Sequence, residues 1–510
     1  MNLKKMCCAL GLLPALLIAQ TTVTVDTNNP GSQINKNIYG QFMEHLGRGI
    51  YEGVWVDDDS NIPNTNGYRN DVVQALRELK VPLLRWPGGC FADQYHWQDG
   101  IGPRDQRPKG VNTTWGGVIE PNSFGTHEFL NFAEMLDAEV YVNGNLGTGS
   151  PKEMAQWLEY MTSESDSTLA NMRRQNGRDK PWRVHYFAIG NESWGCGGSM
   201  SPEYYGNLYK HFATFLKTPA NNRPVLIASG GYDHHLDWTE HLSSLEQNFA
   251  YRLEAIGHHY YTLPTGDWDK KGSATAFPER EWISTLSRTL AMKDILEQNL
   301  AILEKNDPQN KIGFYVDEWG TWYDVSQGDP GFLYQQNSIR DALVAALNLN
   351  LFHQHAERVQ MSNIAQMVNV LQAMILTDQE KMLLTPTYHV FRMHNVFQDA
   401  TYLPVSLTGN PEYTLEEYSI PKVSASAARD NSGKVWVTVV NTHPRESETV
   451  EMAGKYSSLV GEVLSADKMD AHNSFGAPNA VAPVEFKSTA SGGKLRFKLP
   501  AKSVLVAELK

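Results

Sequence analysis

Short apolar runs alternate with longer stretches of helical periodicity along most of this chain. The runs fall at residues 38–43, 81–86, 139–143, 184–189, 225–229, 255–260, 312–316 and 364–370. They are rich in β-branched and aromatic residues, as buried parallel strands are. Amphipathic patterns at 71–80, 128–136, 151–161, 202–216 and 334–352 lie between them. Pro151 and Pro202 each open one of these patterns, at a position where a missing N–H breaks no helical hydrogen bond. Eight strands with intervening helices predict a (β/α)₈ TIM barrel over residues 36–395. Beyond 396 the period changes to two, as in 435–440 and 494–499, with turns at Asn431-Ser432-Gly433 and Ser491-Gly492-Gly493. That pattern predicts an all-β, jelly-roll-like sandwich over 396–510. A strand at 21–25, within the segment 21–35, has no partner in the barrel and is expected to join that sandwich.

Two glutamates interrupt this pattern in the same way. Glu192 closes the run Val184-His185-Tyr186-Phe187-Ala188-Ile189-Gly190-Asn191, and Glu318 closes Ile312-Gly313-Phe314-Tyr315-Val316-Asp317. A carboxylate at the end of a buried strand does nothing for packing. One alone reads as a solvent-facing strand end, but two in matching contexts point to a shared cleft. They end the fourth and seventh predicted strands, at the carboxyl face where barrel enzymes place their chemistry. A pair of carboxyl groups is the equipment of a glycosidase: one protonates the departing oxygen while the other attacks or activates water. Asn191 precedes the first and is placed to donate to a sugar hydroxyl. His258 and Tyr260 end the sixth strand, where a Tyr hydroxyl would orient Glu318 and a His would tune Glu192.

Composition narrows the partners. The 510 residues carry a formal charge of −13, which argues against nucleic acid or an anionic membrane as partner. Aromatic residues make up 10%, compatible with stacking on sugar faces. Lys4 and Lys5 precede an apolar run from 6 to 19, so residues 1–20 read as a secretory signal and predict a secreted or periplasmic protein. Two of the four cysteines lie in that run. Cys90 and Cys196 remain, with a disulfide between them possible, and no cysteine-type zinc site can be assembled.

Five segments together resemble glycoside hydrolase family 51, the α-L-arabinofuranosidases: Gly190-Asn191-Glu192, Asp317-Glu318-Trp319, Arg85-Trp86-Pro87-Gly88-Gly89, Tyr39-Gly40-Gln41-Phe42-Met43-Glu44-His45 and Ala365-Gln366-Met367-Val368-Asn369. The resemblance covers nearly all of the chain after the leader. It implies a retaining, exo-acting enzyme that removes arabinofuranosyl residues from arabinan, arabinoxylan or derived oligosaccharides, without metal or cofactor. By it, Glu192 is the acid/base and Glu318 the nucleophile. Glu44, Asn191 and Gln366 hold the furanose hydroxyls, Tyr260 positions Glu318, and His258 lies beside Glu192. Trp115 and Trp322 line the arabinose and leaving-group subsites, and a hexamer is implied. Cys90 stands where many members have Asn, and a thiol is the poorer donor to a sugar. The segment Ser193-Trp194-Gly195-Cys196-Gly197-Gly198 also departs from much of the family, at the leaving-group side.

Three other readings compete. The same barrel and glutamates would serve an endo-β-1,4-glucanase or a β-xylosidase. A metal-dependent hydrolase would use Asp233-His234-His235 and His258-His259, but no ligand spacing of a known metal motif supports it. A non-catalytic glycan-binding protein would leave the matched glutamates unexplained.

Overall fold

The computed structural model describes residues 20–245, 251–325 and 332–510. The run expected to be a secretory signal therefore lies outside the described residues, except for Gln20. A first strand, β1 (Thr21–Val25), precedes the barrel. Eight parallel strands then close on themselves: β2 (Gly40–Phe42), β3 (Leu83–Trp86), β4 (Glu139–Gly144), β5 (Tyr186–Ile189), β6 (Val225–Ala228), β7 (Ala255–Thr262), β8 (Gly313–Thr321) and β9 (Ser362–Ala365). The ring closes where Asn363 of β9 pairs with Gly40 of β2. This is the (β/α)₈ barrel expected from the alternation.

Local signals explain where helices begin. Ser150 and Ser201 accept hydrogen bonds from the Glu153 and Tyr204 amides, with Pro151 and Pro202 at the first helical positions. Ser338 and Asp341 form a capping box, so the helix expected from 334 starts instead at Ile339 and runs to Gln354. The last barrel strand also differs from expectation. It spans Ser362–Ala365, not 364–370, because the chain folds back after Ala365: the Gln366 amide donates to the Val370 carbonyl, and Asn369 and Leu371 adopt left-handed conformations. Buried on both faces, the run 364–370 has no alternation that would separate strand from turn.

The interior of the barrel is filled by one residue from each of several strands, including Leu83, Tyr141, Ile227, Ala255 and Tyr315. Beyond the barrel, two antiparallel-rich sheets pack face to face. The larger has the order β10 (Thr401–Leu403), β12 (Val423–Arg429), β13 (Val435–Asn441), β18 (Ser503–Leu509), β15 (Ser458–Leu464), β16 (Val484–Thr489). The smaller has β11 (Val405–Thr408), β1, β14 (Glu448–Ala453), β17 (Leu495–Leu499). There β1 runs antiparallel to β11 and parallel to β14, with Thr22 opposite Thr408 and Thr21 opposite Val450. Val23, Val439, Val450 and Leu505 share the sandwich core. Trp282, on a barrel helix, donates its indole N–H to the Thr442 carbonyl at 2.9 Å and so ties the two domains. Among the described residues no helix is long and apolar enough to cross a membrane.

Candidate active site

Glu318 reaches the barrel interior because β8 carries one extra residue. Against β7, Gly257 faces Tyr315 but His259 faces Glu318; against β9, Val316 faces Ser362 but Trp319 faces Ile364. Both neighbours therefore see two intervals where β8 has three, which defines a β-bulge. Val316 and Trp319 pack outward in the helix-facing core, while Asp317 and Glu318 both turn inward. Arg85, from β3, crosses the barrel to receive them. Its Nη1 lies 2.8 Å from Glu318 Oε2 and 3.1 Å from the Asp317 carbonyl, and its Nη2 donates to Asn191 Oδ1 at 2.5 Å. Tyr261 donates its hydroxyl to the other Glu318 oxygen at 2.7 Å. A Cβ on Gly89 would stand 3.1 Å from Glu318 Oε2, so a side chain there would press on the carboxylate.

Glu192 is held differently. It lies on the loop after β5, with φ of 41°, two residues beyond Gly190 at φ of 83°. The buried Asp93 carboxylate fixes this loop by accepting from the Asn191, Leu146 and Gly147 amides at 2.9, 2.8 and 2.9 Å. His259 Nδ1 stands 2.8 Å from Glu192 Oε1. Oε2 faces a disulfide between Cys90 and Cys196, with the sulfurs at 3.7 and 3.4 Å. An oxidised pair has no S–H, so these are van der Waals contacts. They also correct the expectation that Cys90 would act as a weak thiol donor.

Electrostatics acts on Glu192 from two directions. Burial pushes Glu192 above the ordinary carboxyl range and the neighbouring Glu318 charge adds to this, against the opposing pull of His259. His259 loses by burial but gains more from Glu318, Asp317 and Glu192, and rises to about 10. One oxygen of Glu192 and one of Glu318 lie within 4.8 Å of each other, with His259 nitrogen in the same cluster. Such a trio is close enough to share a cation, but Arg85 and a charged His259 already supply the positive charge. Cys90, Glu192 and Cys196 are similarly close, with both sulfurs committed to the disulfide.

Beside Glu318 lies a second, more enclosed polar group. Glu44 Oε1 accepts from the Gly89 amide, the Phe91 amide and Trp115 Nε1 at 2.9, 3.1 and 2.8 Å, and Oε2 accepts from Gln366 Nε2 at 3.0 Å. Burial and the Glu318 charge lift Glu44 to about 7 even so. Gln366 Oε1 is buried with no protein partner among the described residues. A Cβ at Gly88 would strike the Glu44 side chain at 2.5 Å, which accounts for the glycine there.

On the opposite side of Glu192 opens a cavity of about 460 Å³, walled by Trp194, Tyr232, Tyr261, Trp268, Arg288 and Trp322. Trp194 stacks on Tyr232 with centroids 3.9 Å apart, and Trp322 meets Tyr261 edge-on at 5.0 Å. A larger depression of about 890 Å³ lies at the amino-terminal end of the barrel strands, bordered by Arg223, Glu254 and Lys311. Its Glu254 is already paired with Arg223 and Arg252, and it holds no facing carboxyl pair. The smaller cavity therefore belongs to the chemistry.

The structure brings together Glu44, Cys90, Trp115, Asn191, Glu192, Glu318, Trp322 and Gln366; of the two expected residues on β7, Tyr260 borders the aromatic cavity and His258 does not, and neither touches a glutamate of the pair. His258 faces outward: its Nε2 meets the Asp233 carbonyl at 3.1 Å, its ring lies 5.3 Å from Phe314, and burial drives it down to about 3. Tyr260 donates to the Arg288 carbonyl at 2.6 Å. Their neighbours His259 and Tyr261 make the contacts with Glu192 and Glu318. The spacing of two was right and the face was wrong, since alternate strand residues point to opposite sides. Ala255 and Gly257, too small for the outer core, mark the inward face and place His259 and Tyr261 on it. Asp93, on a short 3-10 helix (Cys90–Gln94), and Tyr232 and Trp268, on loops, lie where no periodicity announces a site, whereas Trp194 lies in the segment already marked beside Glu192.

Two family models match the chain: α-L-arabinofuranosidase 1 domain over residues 75–275 and α-L-arabinofuranosidase C-terminal domain over 317–503. A Bacteroides ovatus protein named intracellular exo-α-L-arabinofuranosidase is 49% identical over 96% of this chain and 95% of its own length. The crystal structure of the GH51 arabinofuranosidase from Xanthomonas axonopodis pv. citri superposes with a TM-score of 0.93 at 49% identity, covering 96% of this chain and all of that one. The thermostable GH51 α-L-arabinofuranosidase from Thermotoga petrophila RKU-1 gives 0.84 at 27% identity, with 96% and 100% covered. The intracellular Bacteroides relative overturns the expectation of a secreted or periplasmic protein. An apolar run behind two lysines records hydropathy and charge, and these alone do not establish an address. With such identity over nearly its whole length, the chain belongs to the α-L-arabinofuranosidases of glycoside hydrolase family 51.

Proposed function

We propose that this chain is a retaining, exo-acting α-L-arabinofuranosidase. The observation that carries the mechanism is the approach of Glu192 and Glu318 to within 4.8 Å at their nearest oxygens. Retaining glycosidases keep their carboxyls about 5–5.5 Å apart, whereas inverting ones leave room for water at about 6.5–9.5 Å. Glu318, paired with Arg85 and hydrogen-bonded by Tyr261, is the nucleophile: it attacks the anomeric carbon as the bond to the leaving oxygen breaks. Glu192, its carboxyl raised by burial, gives that oxygen its proton. Water then attacks the arabinosyl ester, Glu192 takes the water's proton, and Glu318 departs, so configuration is retained.

Glu44, Gln366 and Asn191 hold the furanose hydroxyls, with Trp115 closing the pocket over Glu44. Asn191 has its carbonyl engaged by Arg85, and its amide nitrogen, 4.0 Å from Cys196 Sγ, donates beside the reacting carbon. The aromatic-walled cavity receives the leaving group. With an intracellular relative, the substrates are arabinose-bearing oligosaccharides derived from arabinan or arabinoxylan.

The test is initial hydrolysis of aryl α-L-arabinofuranoside, β-D-xyloside and β-D-cellobioside by wild type and Glu318→Ala. Release from the arabinofuranoside alone, abolished by the substitution, is expected. Activity confined to the cellobioside would overturn the substrate, and an inverted first product by NMR would overturn the mechanism.

A further inference from the structure

The bulge in β8 turns two successive carboxylates inward, and the mechanism above uses only Glu318. Asp317 lies deeper and is 3% exposed. Its position is closely specified. Tyr141 of β4 donates to Oδ2 at 2.6 Å, and the His258 amide donates to Oδ1 at 3.1 Å. A Cβ on Gly257 would fall 2.6 Å from Oδ1, so only glycine at 257 admits the carboxylate there. From this seat Oδ1 faces His259 Nε2 at 3.4 Å. The other nitrogen of the same ring, Nδ1, faces Glu192 Oε1 at 2.8 Å and Glu318 Oε2 at 3.5 Å.

A neutral imidazole has one N–H and one lone pair. Here both nitrogens look at carboxylate oxygens, so a neutral ring would set a lone pair against one of them. A neutral ring with its N–H toward Asp317 is satisfied only if Glu192 turns its own proton onto Oε1 to face Nδ1, away from the leaving oxygen; the imidazolium satisfies both sides and leaves that proton to Oε2. The space beneath the ring, bordered by Arg85, Tyr141, Asn191 and Asp317, is about 10 Å³, scarcely enough for one water to stand in for the carboxylate.

We propose that Asp317 is a positioning residue whose carboxylate keeps His259 an imidazolium facing both glutamates throughout the reaction. The inference rests on the double-displacement reading above. Its consequence is specific: Nδ1–H always occupies Glu192 Oε1, so the proton that Glu192 donates and recovers is confined to Oε2. The groups around His259 agree with this role. Glu192, Glu318 and Asp317 favour its charge, Arg85 opposes it, and His258 on the same strand is buried in its neutral form. Tyr141 and Tyr261, both buried with their hydroxyls donated to carboxylates, stay neutral. Asp317 itself is raised by burial but held below the ordinary carboxyl value by His259, Arg85 and Tyr141, so it stays charged.

The experiment is Asp317→Asn, near in shape and still able to accept from Tyr141. With ¹⁵N-histidine labelling, His259 is assigned by its absence from His259→Gln. In wild type its ring nitrogens keep imidazolium shifts up to pH 8. In Asp317→Asn they titrate below pH 8, and kcat falls about 10²–10⁴-fold, the span of general acid–base contributions, with a smaller change in KM. The kcat/KM profile gains an ionisation that wild type lacks. A variant whose His259 titrates as in wild type, with a parallel pH profile, would overturn the proposal. If Asp317→Asn fails to fold, the wild-type protein decides alone: a His259 whose ring nitrogens titrate below pH 8 would overturn the proposal, and Tyr141→Phe, which leaves the Asp317 charge in place, is expected to keep His259 an imidazolium. Glu192→Ala and Glu318→Ala run alongside separate the two claims. If they keep activity, the double displacement fails; if they lose it while His259 is indifferent to Asp317, only this proposal fails.

Discussion

The two glutamates sit in contrasting regions of one rim. Glu318 is part of a strand, braced by a guanidinium on one oxygen and a Tyr hydroxyl on the other. Glu192 stands on a loop in a left-handed conformation, with an imidazole on one oxygen and two oxidised sulfurs against the other. The first seat stabilises a carboxylate and fixes its direction. The second removes water from one oxygen without offering it a donor, which suits a group that must carry a proton. Identical side chains thus acquire opposite duties from what touches them.

The contrast predicts a graded set of losses. Glu318→Ala should cost about 10⁴-fold or more in kcat on every arabinofuranoside, because no step proceeds without the nucleophile. Measuring rates on aryl and disaccharide substrates checks this; a variant that stays active on either would break the assignment. Glu192→Ala should lose about 10²–10⁴-fold on an arabinosyl disaccharide, whose leaving group needs a proton. Its arabinosylation rate on a dinitrophenyl arabinofuranoside, whose leaving group departs unaided, should fall far less. Wild-type kcat/KM falls as pH rises through the raised value of Glu192, since only the protonated form is an acid. That alkaline limb should vanish for the variant, and pH profiles of both proteins decide the point.

A smaller effect is expected from opening the disulfide. Reduction by a dithiol should lower stability by about 2–4 kcal/mol, because the link closes a long stretch of chain. It should also slow hydrolysis of the disaccharide more than that of the dinitrophenyl substrate, since both sulfurs border Glu192. Thermal melts and paired rates with and without reductant test this, and equal slowing of both substrates would remove the disulfide from the acid's environment. The smallest effect concerns the face of β7. Tyr261→Phe deletes one hydrogen bond to Glu318, worth about 0.5–1.5 kcal/mol, and should slow turnover up to about tenfold. Tyr260→Phe should leave kcat at the wild-type value; the reverse order would return the site to the other face.

Much of this was legible in the chain. The alternation of apolar runs and helical patterns announced the barrel, and glutamates ending two such runs announced the chemistry. Arg85 and Asp317 lay within motifs that stood out, but nothing in the motifs said that one reaches across the barrel to the other. On β7 the period of two was legible and its phase was not, because Ala255-Ile256-Gly257-His258-His259-Tyr260-Tyr261 carries polar rings on both faces. The last strand was misplaced for a related reason: residues 362–370 are buried throughout, so nothing marks where strand gives way to turn.

The sequence by itself determined the kind of elements, their order and the two carboxyls at strand ends, since these depend on local periodicity and residue type. Tertiary structure alone decided which neighbours face inward, because a single extra residue in β8 alters the register against both adjoining strands. It also decided which glutamate is braced by Arg85 and which lies beside the disulfide. Those contacts join residues a hundred or more positions apart, where closure of the barrel, and not local preference, sets the distance.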